Sequence, residues 1–206
     1  TAGKKTIAVR IPKHKVARNL LKILSVPLAA PSANIASKLS PTSAKDVVDE
    51  FKNKIKLVLD GGQCRIGVES TIIDLTGKPT LLRPGSVTKE KIEKVLNRRI
   101  FVNSGTKKIK GPGQLKLHYS PGIPVIMNKT YPKKNQAFIT FGSKHKKTEN
   151  HFNLSKNSNL KEAANNLYKI LRKIKKKNYK SIAVTKIPNI GIGQAINDRL
   201  RKASNK

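Results

Sequence analysis

The segment Val68-Glu69-Ser70-Thr71-Ile72-Ile73-Asp74-Leu75, with Thr80-Leu81-Leu82-Arg83-Pro84-Gly85 after it, decides the fold that we expect around it. Both stretches are rich in β-branched and aliphatic side chains, and Gly77-Lys78-Pro79 between them is a turn signal. The pattern predicts a β-hairpin. Its strand ends carry Ser70 and Arg83, whose hydroxyl and guanidinium groups suit an anionic, nucleotide-like ligand.

Helices and strands alternate along the rest of the sequence. Four segments are predicted to be helical, with Ser43 and Ser158 as caps of the second and the fourth: residues 16–24, 44–55, 88–96 and 158–174. Short apolar runs predict strands at 6–12, 28–30, 57–59, 137–140 and 181–184. A polar loop is expected over 144–157, and Gly191-Ile192-Gly193 begins a last helix that runs through Leu200. The alternation is typical of an α/β protein.

The composition shifts between Val102 and Gly122, where glycine, proline, lysine and serine dominate and no periodicity survives. We therefore expect three parts. Residues 1–102 form an α/β sheet domain, residues 103–123 form a linker, and residues 124–206 form a small Rossmann-like α/β domain. The linker carries His118 and Tyr119, and long loops with such residues are often functional.

The net charge is +33, from 44 basic and 11 acidic residues. A charge of this size attracts polyanions, above all RNA, in a way that does not depend on the fold. The basic residues are mostly lysine, and asparagine and isoleucine are also abundant, as AT-rich codon usage would produce. Selection for a nucleic-acid surface and drift in composition both remain open at this point.

Several classes of protein are excluded or disfavoured by the sequence. No apolar run approaches the roughly eighteen residues of a membrane span, and no signal-peptide core follows Thr1. The single cysteine, Cys64, excludes an internal disulfide and fits a reducing compartment, so we expect a cytoplasmic location. The four histidines match no metal-binding spacing, and we expect no metal held by protein side chains alone.

Two local patterns suggest ligand-binding residues, and each has a simpler alternative. Ser32 and Asn34 are two residues apart, so on an extended segment their side chains point the same way. They also suit a turn that satisfies its own backbone. Arg10 and Arg83 each stand at a predicted strand end, where a guanidinium can hold a carboxylate or phosphate in a bidentate fork. Each arginine could equally be a solvated cation on the surface with no ligand.

Three further residues or motifs allow weaker interpretations. Glu69 could serve as a base, but we favour a role as acceptor of hydrogen bonds from the backbone or from a neighbouring basic group. Cys64 is interpreted as a structural thiol because no histidine is near it in sequence. Gly191-x-Gly193 lacks the third glycine of a dinucleotide fingerprint and is interpreted as a tight helix entry.

Taken together, the motifs are far more specific than any one alone. Their order closely resembles that of the L-threonylcarbamoyladenylate synthase (YrdC-type) family: Thr6-x-x-Val9-Arg10-x-Pro12, Ala30-Pro31-Ser32-Ala33-Asn34, Ser40-Pro41-Thr42, Asp60-Gly61-Gly62, Gly67-Val68-Glu69-Ser70-Thr71-Ile72 and Leu82-Arg83-Pro84-Gly85. The stretches His118-Tyr119-Ser120-Pro121 and Gly191 to Leu200 resemble the two-domain form of this enzyme.

For residues 1–102 the resemblance implies the C-terminal part of a YrdC-like catalytic domain, a partial, twisted mixed sheet with helices. It further implies a nucleotidyltransferase that condenses L-threonine, bicarbonate and ATP into threonylcarbamoyl-AMP and diphosphate. The product serves the threonylcarbamoyl modification of adenosine 37 in tRNA, together with other proteins of that modification. By this resemblance Arg10, Ala30 and Ser70 would bind threonine. The residues that would contact ATP are Thr6, Ser32, Asn34, Ser40, Arg83 and Tyr119, with Asn34 in a supporting role. Tyr119 would fold over the site with the linker, Mg²⁺ would bridge the phosphates, and no catalytic residue is assigned.

The sequence also departs from the family. The family's early threonine motif and its lysine-x-arginine motif for the triphosphate are absent, and the chain does not begin with methionine. We therefore interpret the chain as the C-terminal part of a longer protein, with little activity alone. The alternative hypothesis is a non-catalytic, basic RNA-binding or scaffold remnant that would bind tRNA or double-stranded RNA through its charge.

Overall fold

The computed structural model describes residues 3, 5–102, 111, 118–145 and 148–205. It divides the chain into two compact units, which we describe separately. Unit 1 comprises Thr1–Ile35 and Ser40–Cys64, and unit 2 comprises Ala36–Leu39 and Arg65–Lys206. Most of the expected linker, residues 103–110 and 112–117, lies outside the described residues.

Unit 1 contains two helices with well-defined ends. Helix α1 (Lys15–Leu24) ends at Ser25, whose left-handed conformation lets its N–H donate to the Leu21 carbonyl at 3.1 Å. Helix α2 (Ala44–Phe51) begins after Ser43, whose hydroxyl accepts from the Asp46 N–H at 3.2 Å. The Asp46 carboxylate in turn accepts from the Thr42 N–H at 2.7 Å. These reciprocal bonds confirm the predicted cap, and a short 3₁₀ turn (Lys52–Lys54) follows.

Three strands predicted in unit 1 are wrong. Residues 6–12, 28–30 and 57–59 are irregular, and within the described part of this unit no strand pairs with them. A strand needs a neighbour for its N–H and C=O groups, so an apolar run without one cannot form a ladder. Their side chains are accordingly open to solvent, with Val9 87% and Leu57 74% exposed.

The first half of unit 2 is a three-stranded sheet. Strands β1 (Ile72–Asp74) and β2 (Thr80–Arg83) pair in antiparallel fashion and form the predicted hairpin. Helix α3 (Lys89–Leu96) then leads to the short strand β3 (Phe101–Val102), which lies parallel to β2. Strand β3 was not expected, since two residues are too few to show alternation.

The second half of unit 2 is a parallel four-stranded sheet in the order β4-β7-β5-β6, with two helices. Its elements are β4 (Val125–Ile126), β5 (Gln136–Thr140), β6 (His151–Asn153), α4 (Leu160–Lys175), β7 (Ser181–Val184) and α5 (Gly193–Ser204). Strands β5 and β7 and both helices follow the predictions. The described residues thus form two sheets and five helices, which confirms the α/β fold class.

Two details of this sheet correct the predictions. Strand β6 lies inside the stretch 144–157, which we expected to be a loop throughout. Only Phe152 of its three residues is buried, and one buried side chain gives no period that a sequence can reveal. Helix α4 is capped by Asn159, one residue after the predicted Ser158, because the Asn159 amide oxygen accepts from the N–H groups of Lys161 and Glu162.

The core of unit 2 lies between this parallel sheet and its helices. Side chains with no exposed surface come from both strands and both helices: Ala137, Ile139, Ile182, Val184, Leu167, Ile174, Ile196 and Leu200. Burial of aliphatic side chains at about 1.5–3 kcal/mol each is the main source of stability here. No helix in the described part of the chain is long and apolar enough to cross a membrane.

Helix α4 also supports the loop that precedes the hairpin. The Asn165 side-chain amide donates to the Arg65 carbonyl at 2.9 Å. Gly67 has a φ of +77°, and a Cβ built on it would lie 2.5 Å from the Ala164 carbonyl oxygen and 2.5 Å from the Asn165 Cα. The loop therefore approaches the helix as closely as a backbone without a side chain allows.

We expect the Gly67→Ala change to lower the free energy of unfolding by about 2–4 kcal/mol, because it adds backbone strain and overpacks the contact with α4. Gly77→Ala is the matched control, since no atom lies within 4 Å of a Cβ there and its φ is not left-handed. Urea denaturation of both variants measures the difference. Equal stability of the two variants would contradict the described approach.

Candidate functional site

The residues that the sequence predicted to bind ligands are divided between the two units. Six belong to unit 1 and three to unit 2: Thr6, Arg10, Ala30, Ser32, Asn34 and Ser40, and then Ser70, Arg83 and Tyr119. We describe each group within its own unit. Most of the linker before Tyr119 lies outside the described residues, so the expectation that it folds over the site stays a prediction.

The unit 1 residues are mostly exposed. Thr6, Arg10, Ala30 and Ser32 are open to solvent, whereas Ser40 is buried. The Asn34 N–H donates to the Ser32 carbonyl at 2.9 Å, and the Asn34 side-chain amide donates to the Ile35 carbonyl at 2.8 Å. The segment thus adopts a local turn of the kind that we gave as the alternative.

In unit 2 the two ends of the hairpin are held against each other. Arg83 is 9% exposed, and its Nε donates to the Ser70 carbonyl at 2.9 Å. Gly85 approaches the opposite strand end so closely that a Cβ there would lie 2.3 Å from the Thr71 nitrogen. Ser70 and Arg83, assigned to different ligands by the resemblance, therefore lie next to each other at one end of the sheet.

Glu69 accepts hydrogen bonds from two distant residues of unit 2. The Tyr168 hydroxyl lies 2.9 and 3.1 Å from its two carboxylate oxygens, and the Nε of Arg199 donates to one of them at 2.7 Å. The structure thus confirms the acceptor role over that of a free base. Burial, reinforced by the Glu69 charge, raises the pKa of Tyr168 well above 10, so the phenol stays protonated.

Arg199, on helix α5, is 1% exposed and lies at the centre of these contacts. Its Nη1 donates to the Pro84 carbonyl at 2.9 Å and to the Asp198 carboxylate at 2.7 Å, while Nη2 lies 3.4 Å from the Glu69 carbonyl. Burial opposes the charge of this guanidinium. The Glu69 carboxylate outweighs that effect, together with the tyrosines and Asp198, and raises the pKa of Arg199 above its ordinary value.

Tyr119 packs over Arg199. Its ring centroid is 5.2 Å from the guanidinium carbon, its side chain is 1% exposed, and its hydroxyl has no hydrogen-bond partner among the described residues. Tyr119 is also left-handed, with φ of +60°, and its N–H donates to Nδ1 of His118 at 3.0 Å. Burial raises the pKa of Tyr119 and lowers that of His118, so both rings are held neutral.

The sequence analysis did not single out Arg199, Asp198 or Tyr168. A signal for Arg199 was nevertheless present. It lies among Ile196, Leu200 and Ala203, which form the apolar face of the last helix, and an arginine on such a face must have buried partners. Tyr168 lies next to Leu167 on the apolar face of α4 and could not be told from an ordinary core residue.

The described residues contain no group of three or more histidine, cysteine, aspartate or glutamate side chains that could hold a metal ion. Next to Ser70 lies the guanidinium of Arg83, which donates to the Ser70 carbonyl. A guanidinium can bind carboxylates and phosphates and can neutralise their charge.

The chain is similar to proteins of established identity along its whole length. The family model described as "Threonylcarbamoyl-AMP synthase, C-terminal domain" matches residues 87–205, and the Sua5/YciO/YrdC model, described as "Telomere recombination", matches residues 1–85. The threonylcarbamoyl-AMP synthase of Pyrococcus abyssi is 39% identical over 99% of this chain and 65% of the relative. That of Bacillus subtilis is 34% identical over 99% of the chain and 64% of the relative.

Two solved structures give the same result. The P. abyssi Sua5 complexed with L-threonine has a TM-score of 0.87 and 37% identity, covering 99% of this chain and 65% of that protein. A P. abyssi Sua5 in which a histidine and the following tyrosine are both replaced by alanine has a TM-score of 0.84. The chain thus spans about two thirds of the length of these relatives.

The buried Tyr168 hydroxyl yields a prediction about alkaline stability. Above about pH 10 the unfolded chain loses this proton while the folded protein keeps it, so the free energy of unfolding falls as the pH rises. We expect Tyr168→Phe to lower stability at neutral pH by about 1–3 kcal/mol, since Glu69 loses a donor. In this variant the free energy of unfolding should decline less steeply above about pH 10.

Denaturant titrations at several pH values between about 8 and 11 measure both effects. Tyr131→Phe is the control because the Tyr131 side chain is 74% exposed and should leave the slope unchanged. An alkaline slope in Tyr168→Phe as steep as in the unaltered chain would contradict the argument.

Proposed function

The chain belongs to the threonylcarbamoyl-AMP synthase family, and we propose that it supplies the threonine-binding and adenylate-binding residues for synthesis of threonylcarbamoyl-AMP. The substrates would be L-threonine, bicarbonate and ATP, and the products threonylcarbamoyl-AMP, diphosphate and water. The observation that carries the proposal is the likeness over 99% of the chain to a Sua5 solved with L-threonine. The juxtaposition of Ser70 and Arg83 in unit 2 supports it.

The proposed roles follow the chemistry of each side chain. Arg10 would bind the threonine carboxylate in a bidentate fork, and Ala30 and Ser70 would line the threonine site. The nucleotide would be contacted by Thr6, Ser32, Ser40, Arg83 and Tyr119, with Asn34 supporting the Ser32 turn. The Tyr119 hydroxyl supports this role, because it is buried with no hydrogen-bond partner among the described residues, and a buried polar atom gains from a ligand that pairs with it.

The reaction needs positioning and charge neutralisation more than a strong base. The threonine amine would attack the carbon of bicarbonate, with loss of water, to give a carbamate. A carbamate oxygen would then attack the α-phosphorus of ATP, and the bond to the diphosphate leaving group would break. Arginine and hydroxyl groups would bind the carboxylate and phosphate oxygens throughout. Mg²⁺ would enter with the ATP phosphates, in keeping with the lack of a carboxylate cluster among the described residues.

The product would be used for the threonylcarbamoyl modification of tRNA by the other proteins of that modification. We place the reaction in the cytoplasm, where tRNA and free amino acids meet. Cys64, the single cysteine of the sequence, is exposed, and its use as a thiol is consistent with a reducing compartment.

Calorimetric titration of the full chain with L-threonine and with MgATP tests the proposal. We expect both to bind, and Arg10→Gln to raise the Kd for L-threonine at least about tenfold, because a charge-assisted bond contributes about 1.5–3 kcal/mol. The Kd for ATP and the thermal stability should be unchanged, since Arg10 is exposed. Lys13→Gln, also exposed and on the same segment, is the control for loss of one charge.

We expect little diphosphate release from this chain alone, because the lysine-x-arginine motif for the triphosphate is absent from its sequence. Robust release that depends on both threonine and bicarbonate would contradict that expectation, but not the proposed binding roles. Failure of the unaltered chain to bind either ligand would contradict the proposed function. An unchanged threonine affinity in Arg10→Gln would contradict the role given to Arg10 alone.

A second candidate function, binding of tRNA or double-stranded RNA, is favoured by one edge of the parallel sheet. Strands β5 and β7 begin at this edge, and the Lys180 N–H donates to the Asn135 carbonyl at 3.0 Å, which joins the two preceding loops. The loops carry five exposed lysines, which we call the lysine edge: Lys133, Lys134, Lys176, Lys177 and Lys180. A row of flexible cations of this kind suits a phosphate backbone.

The lysine edge predicts a specific salt dependence. If the lysine edge binds RNA, changing Lys133, Lys134 and Lys180 to glutamine should weaken the salt dependence of binding. The slope of the logarithm of the RNA association constant against the logarithm of the salt concentration should fall in magnitude by about 2–3. Changing three exposed lysines elsewhere, Lys22, Lys91 and Lys94, serves as the control of equal charge. Fluorescence anisotropy with labelled tRNA and with an RNA duplex measures the slopes. Equal losses in the two triple variants would show diffuse attraction by net charge and would contradict a localised surface.

A further inference from the structure

We propose that Arg199 is a positioning residue that sets the places of Ser70, Arg83 and Tyr119 for their ligands. That Arg199 fixes the main chain next to Ser70 and Arg83 is inferred from the geometry alone. That this placement serves the binding of threonine and ATP rests on the proposed function. Arg199 lies 130 residues after Glu69 and 115 after Pro84, so the link joins the last helix to the hairpin.

The guanidinium contacts the immediate neighbour of each hairpin residue. Glu69 precedes Ser70, and its carboxylate and carbonyl both face Arg199, at 2.7 Å from Nε and 3.4 Å from Nη2. Pro84 follows Arg83, and its carbonyl accepts from Nη1 at 2.9 Å. One planar group therefore fixes the main chain on both sides of the Ser70–Arg83 contact. A shift of the guanidinium would move both binding residues together.

The Arg199 guanidinium also contacts the ring of Tyr119. The positive charge faces the ring at 5.2 Å, a favourable cation–π distance, while the hydroxyl points to no described partner. The segment that carries Tyr119 is also tied to helix α5, because the His118 N–H donates to the Lys202 carbonyl at 3.3 Å. Tyr119 is thus oriented by Arg199 without using the polar atom that a ligand would need.

A purely stabilising role explains these contacts less well. Buried ion pairs are weak evidence for stability, because well-packed apolar side chains often replace them at no cost. The Arg199 contacts are directional and reach three separate segments, which an apolar side chain could not do. Lysine could neutralise Glu69, but it has no fork with which to hold Pro84 and Asp198 as well.

The first test compares Arg199→Lys with Arg201→Lys, an exposed arginine two residues away on the same helix. Amide hydrogen exchange of the full chain is measured by mass spectrometry or NMR. We expect amide exchange of residues 70–72, Gly85 and Ser86 to be at least tenfold faster in Arg199→Lys, relative to the core strands β5 and β7. The control should match the unaltered chain. Unchanged exchange at both segments in Arg199→Lys would overturn the inference.

The second test separates positioning from simple neutralisation of Glu69. The double variant Glu69→Gln with Arg199→Met removes both charges, and Tyr168 can still donate to the glutamine oxygen. We expect the double variant to recover the thermal midpoint that Arg199→Met alone loses. We expect its affinities for L-threonine and ATP to stay at least tenfold weaker than those of the unaltered chain.

The outcomes distinguish the two hypotheses. Recovery of both stability and ligand affinity in the double variant would show that Arg199 only neutralises Glu69, and would overturn the positioning role. If the unaltered chain binds neither ligand, the proposed function fails, while the exchange comparison still decides whether Arg199 positions the two segments. Should Arg199→Lys fail to fold, the exchange measurement on the double variant provides the same comparison.

Discussion

A buried guanidinium is the constraint on which unit 2 depends. Arg199 has almost no exposed surface, and a charge removed from water is tolerated only with partners that satisfy it. Those partners are the Glu69 and Asp198 carboxylates and the Pro84 carbonyl. The position of helix α5 in the core is therefore tied to the ends of the β1–β2 hairpin, far away in the sequence. The two sheets of unit 2 are joined by polar contacts as well as by apolar packing.

Close backbone approaches make this arrangement possible. Gly85 brings Pro84 against Glu69 and Thr71, so that one side chain can reach carbonyls on both segments. Gly67 lets the preceding loop lie directly on helix α4, which places Glu69 within reach of the Tyr168 hydroxyl. A side chain at either glycine would overlap the facing backbone and push the segments apart. The polar contacts of Arg199 and the two glycines are parts of one arrangement.

The sequence predicted those elements whose stability is local or whose pattern is long. Helices α1, α2 and α4 have clear apolar faces, and the hairpin has a turn signal between two β-rich runs. The predicted strands of unit 1 failed because pairing is not a local property, and apolar runs such as 6–12 and 57–59 have no partner strand in the described part of that unit. Strands β3, β4 and β6 have two or three residues each, too few for a period. For the candidate site, the motifs predicted Ser70 and Arg83 as binding residues, and these roles stay predictions. The contact of Glu69 with Arg199 spans 130 residues and needed the fold.

The use of the acidic residues bears on the origin of the large positive charge. The chain has 11 acidic residues against 44 basic ones, and the acidic ones are mostly engaged in specific bonds. Asp46, Asp60 and Asp74 accept from main-chain N–H groups at a cap and at turns, and Glu50 and Glu93 accept from those of Ile35 and Ile100. Glu69 and Asp198 hold Arg199, while most lysines lie on the surface. Drift in composition would remove exposed acids first and retain those whose loss unfolds the protein. The retention of these acidic residues can therefore be explained without an RNA ligand. A lysine edge that binds RNA would instead require selection for that ligand.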